Sequence, residues 1–448
     1  MKRIVFCFDG TWNKLSADTP TNVVLTAASI ERITPNGIAQ IIHYDEGVGT
    51  DRLETVSGGM FGSGLVANIR EAYRFLIFNY DPGDQIYVFG FSRGAFSART
   101  FVGFLRHVGP LSRLHAERID EALSLYERRL RQADGAADAL RRFRATYAAG
   151  VCIGAEDDAW RVANVEGYVT GDAPCLTVRY LGLWDTVSAL GIPAFLPGSS
   201  WINRKHRFHD AELTSFVENA RHAVAIDERR KMFPATLLGD LTNLNRDKGY
   251  TSEADDAPYQ ERWFPGVHGA VGGGGDIRGL SDGALSWVVK GAKMAGLRLD
   301  VGRGSRIHRF EPDPLAPLVN VKKRTFSFTQ LLKTDRPGPE HLWQLAPATL
   351  RRWKAAANDI PEKKLYRPAT LAAVARKLDA TRLPAAATGT VIARHRVEQG
   401  ESLSKLAKRY YGDMTLGNLI FDANRDQLDD PNDIFVGQTL RIPEQQNL

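Results

Sequence analysis

The sequence predicts an α/β fold, a doubly wound and mostly parallel sheet, followed by a small separate unit at the C-terminal end. Three observations predict it. Short apolar runs alternate with amphipathic helical stretches from residue 3 to about 295, the pattern of strand–helix–strand crossovers. Several of the runs end at glycine or an acidic residue, as strands do where they feed a loop at the carboxyl edge of a sheet. The last fifty residues carry their own helical face, Leu403, Leu406 and Tyr410, and a closing strand, behind a Pro/Ala/Gly-rich stretch.

The elements follow in order. Residues 3–8, "RIVFCF", are apolar and stop at Asp-Gly, which suits a buried strand. A second run lies near 38–44. Residues 62–79 place Leu65, Ile69, Tyr73 and Leu76 on one helical face. "DPGD" (81–84) is a turn, "QIYVFGF" (85–91) a strand and "AFSARTFVGFLRHVG" the helix after it. A polar helical pair spans about 116–150. "CLTVRYLGLWD" (175–185) is a further strand. "SFVENARHAVAIDERR" (215–230) reads as a helix, and "ERWFPGVHG" (261–269) as a last strand entering a loop. The expected units are 1–301, a basic Pro/Arg-rich helical extension or cap over 302–381, a linker over 382–393, and a small unit over 394–444.

Composition narrows the classes. Of 448 residues, 43% are hydrophobic and 25% charged, with a net charge of +6, an ordinary globular balance. Both signs are interspersed, so no nucleic-acid partner is expected. The three cysteines, Cys7, Cys152 and Cys175, form no CxxC pair, and neither a disulfide framework nor a metal site is expected. No cofactor is expected. The apolar run at the N-terminus is too short for a secretory signal, so synthesis in the cytoplasm is the expectation. No stretch has the length of a membrane span.

The chemistry concentrates at "VFGFSRGAF". Gly90-Phe91-Ser92-Arg93-Gly94 is a G-x-S-x-G pentapeptide between a strand and a helix. A serine on so tight a turn leaves no room for side chains two residues either side, hence the elbow glycines Gly90 and Gly94. A nucleophilic serine needs a base and a group that orients it. In the α/β-hydrolase order of Ser, then acid, then His, Asp185 closes a strand and His268 follows another. His222 is a competing base, and Asp227, Asp276 and Asp282 are competing acids. The N–H of Arg93, with those of Gly10 or Thr11 after the first strand, would hold an oxyanion, and Asp9 would fix that turn. Asp-Gly-Thr after a strand also resembles the entrance of a haloacid-dehalogenase-type phosphatase. That chemistry needs a carboxylate where Cys7 stands.

Taken together, "FDGTWN", "TNV" (21–23), "YDEGVGT" (44–50), "GFSRGAF", "GLWDTVSALG", "RHAVAIDERR" and "WFPGVHGAVGGGG" resemble the α/β-hydrolase domain of type VI secretion phospholipase effectors over about 1–295. The resemblance implies lipid-ester hydrolysis, most simply of phospholipase A type, with Ser92 as nucleophile, Asp185 as acid and His268 as base. It further implies a phospholipid membrane surface as substrate, delivery to the periplasm of a target cell, a secretion-apparatus spike protein and an immunity protein. Where members often carry an acidic residue shortly after the histidine, "HGAV" stands here. A serine esterase acting on cell-wall or small acyl esters, and a non-enzymatic adaptor keeping the fold, are the alternatives.

The C-terminal unit resembles a LysM module, a βααβ fold that binds glycans such as peptidoglycan. Its family contacts map to Gly400, Glu401, Ser402, Leu403, Ile434 and Phe435, with "EQGESL" in place of the commoner Gly-Asp-Thr-Leu turn. Docking onto a secretion particle is the other role open to it. The apolar stretch "VSALGIPAFLPGSSWI" (187–202), with Phe195, Leu196, Trp201 and Ile202, suits a lid, a bilayer-facing surface or core. The basic stretch of about 303–375 suits lipid phosphates or a solvated face.

Overall fold

The computed structural model describes residues 1–10, 18–47, 60–187, 213–301, 310–322, 332–381, 391–424, 428, 431 and 434–444. Six parallel strands form one sheet: β1 (Arg3–Phe8), β2 (Gln40–Asp45), β3 (Gln85–Phe91), β4 (Val178–Trp184), β5 (Ala220–Ala225) and β6 (Tyr259–Phe264), in the order β2-β1-β3-β4-β5-β6. A parallel sheet is covered on both faces, so its strands read as unbroken apolar runs. The helix α1 (Asn22–Ser29) follows β1, and successive residues of β1 serve opposite faces. Ile4, Phe6 and Phe8 enter one core with α2 (Met60–Asn79) and α3 (Arg93–Val108). Val5 and Cys7 enter the other, where Trp287, Val288 and Val289 of the long helix Gly279–Met294 pack.

The order reverses direction at β1, which lies between β2 and β3. Open α/β sheets bind ligands in the crevice beyond such a reversal. Register brings the chemistry there: Phe8 pairs with Gly90, Phe91 with Trp184, and Ala225 with Phe264. Asp9, Ser92 and Asp185, each directly after its strand, therefore emerge along one edge, with His268 a short loop beyond β6.

The stretch 215–230 is not a helix. Its centre is β5, buried at every position between β4 and β6. The polar residues that suggested an amphipathic helix are satisfied inside the sheet. Arg221 donates to Trp287 O at 2.6 Å, and His222 Nδ1 lies 2.9 Å from Glu261 Oε2. The strand Tyr259–Phe264 also ends earlier than the sequence suggests, and His268 opens a short helix, His268–Gly272.

Residues 332–381 lie over the outer end of the sheet. Trp353, Ile360, Tyr366, Leu371 and Val374 bury Val224 of β5, Trp263 of β6 and Ile226 directly after β5. Segment 332–336 runs alongside 229–231, joined by Lys231 N–H to Leu332 O at 2.9 Å and Thr334 N–H to Arg229 O at 2.8 Å. The C-terminal unit is an antiparallel pair, β7 (Val391–Arg396) and β8 (Thr439–Pro443), with helices Leu403–Tyr411 and Gly417–Ala423 between them. Leu403, Leu406, Ile420, Leu440 and Ile442 form its core. Its Phe435 meets Phe310 edge to face at 6.1 Å. No helix among the described residues is long and apolar enough to cross a membrane.

Candidate active site

Ser92 stands between β3 and α3 with φ 60° and ψ −125°. A non-glycine residue held there stores roughly 1–3 kcal/mol of backbone strain. The flanking glycines make the turn possible. A Cβ on Gly90 would sit 2.6 Å from Ala95 Cα, and one on Gly94 would sit 2.2 Å from Phe8 O. Gly94 thus also sets how closely the end of β1 approaches the elbow. The glycine run after His268 works the same way: a Cβ on Gly272 would enter the Phe91 ring, and one on Gly275 would sit 2.0 Å from Asn320 O.

Three distant side chains converge at this edge. His268 Nε2 lies 2.8 Å from Ser92 Oγ, and His268 Nδ1 lies 2.5 Å from Asp185 Oδ2. The imidazole is clamped by a stacked Phe91 at 4.7 Å and an edge-on Phe233 at 5.2 Å. Its backbone N–H donates to Glu228 Oε2 at 3.3 Å. Burial raises the Asp185 carboxyl, but the charge of Arg336 and the His268 bond outweigh that and hold it well below the usual carboxylate range. Glu228 follows the same pattern: burial raises it, and Arg230 holds it down.

Arg93 supplies the first N–H of α3, directly after the serine. The Gly10 N–H is turned onto its neighbour, donating to Asp9 Oδ1 at 2.6 Å. The other Asp9 oxygen accepts from Thr21 Oγ1 at 2.6 Å and Tyr44 Oη at 2.8 Å, so Asp9 is anchored in the turn. Thr11 lies outside the described residues, as do Phe195, Leu196, Trp201 and Ile202. Cys7 is wholly buried, and burial pushes its thiol far up.

The competing groups are occupied elsewhere. His222 is bound by Glu261 and by Thr186, whose N–H donates to His222 Nε2 at 3.1 Å. Asp227 accepts from Gly266 N–H at 2.7 Å and Tyr366 Oη at 2.8 Å. Asp282 pairs with Arg278 at 2.8 Å, and Asp276 accepts from Lys322 N–H at 3.1 Å. No cluster of metal-ligating side chains occurs among the described residues.

The sequence reading missed Arg336. It donates to Asp185 Oδ1 at 2.6 Å and Oδ2 at 3.0 Å. Nothing local marks it among 58 lysines and arginines. Glu228 was visible inside "RHAVAIDERR" without a role.

In the C-terminal unit, Gly400 is exposed with φ 82°, and Ser402 caps its helix at Lys405 N–H. Glu401 Oε2 lies 2.6 Å from His395 Nε2. Leu403, Ile434 and Phe435 are buried. Of these six positions only those of the Gly400–Ser402 turn have surface to offer a ligand.

Comparison with known proteins adds the context. Residues 2–291 match the family model described as T6SS, phospholipase effector Tle1-like, catalytic domain, and residues 395–443 match the LysM domain. An uncharacterized protein of Saccharomyces cerevisiae is 29% identical over 249 residues, covering 52% of this chain and 32% of its own length. The potassium binding protein Kbp of Escherichia coli is 34% identical over 89 residues, covering 20% of this chain and 58% of its own. The matched stretches thus span a third and somewhat over half of these relatives. Among solved structures, an uncharacterized protein from Pseudomonas aeruginosa overlaps 95% of this chain and 62% of its own at TM-score 0.40 and 18% identity. The Tle1 effector bound to the VgrG spike of the type VI secretion system overlaps 61% of this chain and 51% of its own at TM-score 0.30 and 19% identity. Superpositions that loose carry no argument about either fold or site.

Proposed function

The chain belongs to the type VI secretion phospholipase effectors with a Tle1-like catalytic domain, and on that premise we propose that it is a serine-dependent phospholipase of A type. The observation that supports serine chemistry is the relay of 2.8 and 2.5 Å through Ser92, His268 and Asp185.

Ser92 Oγ attacks the acyl carbonyl carbon of a phospholipid while His268 Nε2 takes its proton. The carbonyl oxygen becomes an oxyanion beside the Arg93 N–H at the start of α3. Gly10 contributes a second donor only by releasing Asp9. The intermediate collapses, His268 returns the proton to the departing lysophospholipid oxygen, and an acyl-serine remains. Water activated by His268 then releases the fatty acid. Asp185 orients the imidazole and stabilises its charged form.

The LysM unit supplies an address on peptidoglycan through the Gly400–Ser402 turn, which accords with delivery into a target-cell periplasm. A spike protein of the secretion apparatus and an immunity protein complete the partners of this reading. Ser92→Ala is expected to lower phospholipid turnover on vesicles by roughly 10⁴-fold or more with the circular-dichroism spectrum unchanged. Retained turnover overturns the assignment. Mass spectrometry of products from vesicles and from purified cell walls separates this reading from a cell-wall esterase. Failure of a fluorophosphonate probe to label Ser92 would favour a non-enzymatic adaptor.

A further inference from the structure

We propose that Arg336 is a positioning residue of the catalytic relay, holding the Asp185 carboxylate in place through a two-pronged bond from outside the family's catalytic domain. The family match ends at residue 291. Arg336 donates to both Asp185 oxygens, and also to Ala225 O at 2.9 Å and Phe233 O at 2.8 Å. Its side chain is 3% exposed. A guanidinium fork matched to a carboxylate fixes direction as well as charge. Among the described residues the only backbone N–H on the same carboxylate is that of Ala225, at 2.8 Å. The segment bearing Arg336 is tied to the 229–231 stretch, so the extension delivers the guanidinium as a rigid part of the site.

The charged groups here pair off. Asp185 faces Arg336, Glu228 faces Arg230, and His268 lies between the two carboxylates. Ser92, Phe91 and Phe233 complete the imidazole's surroundings. Without Arg336, burial would let Asp185 take up a proton at a higher pH, and the orienting anion would vanish as pH falls.

This inference rests on the serine-relay reading above, so Ser92→Ala is run in the same vesicle assay. Arg336→Gln is expected to lower kcat by about 10–100-fold, the scale of a misplaced catalytic group. KM should stay unchanged, and the acidic limb of the kcat/KM profile should move to higher pH. Arg336→Lys, which keeps the charge but not the fork, should lose several-fold in kcat with the limb in its wild-type position. A wild-type kcat and limb in Arg336→Gln overturn the proposal. Should that variant fail to fold, a wild-type kcat in Arg336→Lys overturns it instead. An active Ser92→Ala sinks the serine reading, whereas an inactive Ser92→Ala beside a wild-type-like Arg336→Gln sinks this inference alone.

Cys152 Sγ and Cys175 Sγ lie 2.9 Å apart, on residues bridged in parallel by Cys152 N–H to Pro174 O at 3.0 Å and Leu176 N–H to Cys152 O at 2.9 Å. We infer that this pair is a site of disulfide formation, closed by a small-molecule disulfide in an oxidising compartment. Cys175 is exposed and Cys152 buried, and burial together with Cys175 pushes the Cys152 thiol up to about 12. The exposed Cys175 thiolate therefore attacks first, breaking the S–S bond of the oxidant and expelling one thiolate. Cys152 then gives up its proton and attacks Cys175 Sγ, expelling the second. Two protein thiols are oxidised and one disulfide is reduced to two thiols. The new bond closes the loop around the helix Ala155–Asn164.

The full chain, purified reduced, is incubated with oxidised glutathione and mapped by mass spectrometry without reductant. A linked Cys152–Cys175 peptide is expected, with Cys7 reduced and the melting temperature raised by a few degrees, roughly the effect of closing a loop of this size. Cys152→Ser should instead hold glutathione on Cys175. A persistent glutathione adduct on Cys175 of the wild-type chain, or two unmodified thiols, overturns this proposal.

Discussion

Four donors converge on the Asp185 carboxylate: the Ala225 N–H, two Arg336 nitrogens and His268 Nδ1. Its folded-state pKa is depressed, so the stability it contributes is complete above the unfolded value of about 3.9 and is lost as pH falls through the folded value. Asp185→Asn should therefore be less stable than wild type at pH 7 by about 3–5 kcal/mol, the cost of leaving one partner of a buried pair alone. The gap should narrow below pH 4, as the unfolded wild-type chain takes up a proton at Asp185 that the folded chain does not. Urea unfolding at pH 7 and pH 3 checks both statements. At the elbow, Gly94→Ala would press a methyl to within 2.2 Å of Phe8 O and 2.3 Å of Asp9 O. Backbone cannot yield there without moving β1, so that variant should unfold several degrees earlier in a thermal melt and lose turnover.

β5 shows what an element's environment does to its residues. His222 sits on a strand wholly out of solvent, between Glu261 and Thr186. Glu261 Oε2 also accepts from Leu238 N–H at 2.7 Å, so the imidazole belongs to a small structural network. His222→Ala should destabilise the fold by about 1–3 kcal/mol, the price of stranding buried partners, yet leave fluorophosphonate labelling of Ser92 in place. His268→Ala should abolish labelling while costing less stability. Equal loss of labelling in both variants would restore His222 as a base. β1 and β3 were legible because each is apolar and bounded by turn residues. β5 was not: Arg221 and His222 look solvated in a list of letters, and their partners Trp287 and Glu261 come from other elements.

For the molecule as a whole, the region that matches the catalytic family ends before the last residues that touch the site. Residues 332–381 bury Trp263, Val224 and Ile226 and bring Arg336 to Asp185. A chain cut after residue 301 should aggregate or melt far below the full chain, because it bares that apolar end of the sheet. One cut after residue 381 keeps both contributions and loses only the LysM unit with its Phe435 contact to Phe310. It should still hydrolyse a soluble short-chain ester at close to the full-length rate while failing to sediment with purified peptidoglycan. Loss of ester turnover in that shorter chain would mean that the C-terminal unit supports the site rather than addressing it.

Much of the candidate site was readable without coordinates, since an elbow is a local steric problem. Gly90, Ser92 and Gly94 sit within five residues, and only glycines clear the turn. The chain order of acid and base then narrows the relay to a few side chains, and strand ends point to Asp185 and His268. What the letters alone determined was this local geometry and the alternation of strand and helix, because both arise from neighbours in sequence. Which histidine faces the serine, and that a guanidinium from 151 positions downstream grips Asp185, was decided only by the packed sheet and its extension. Electrostatic pairing depends on distance in space, and no periodicity along the chain records it.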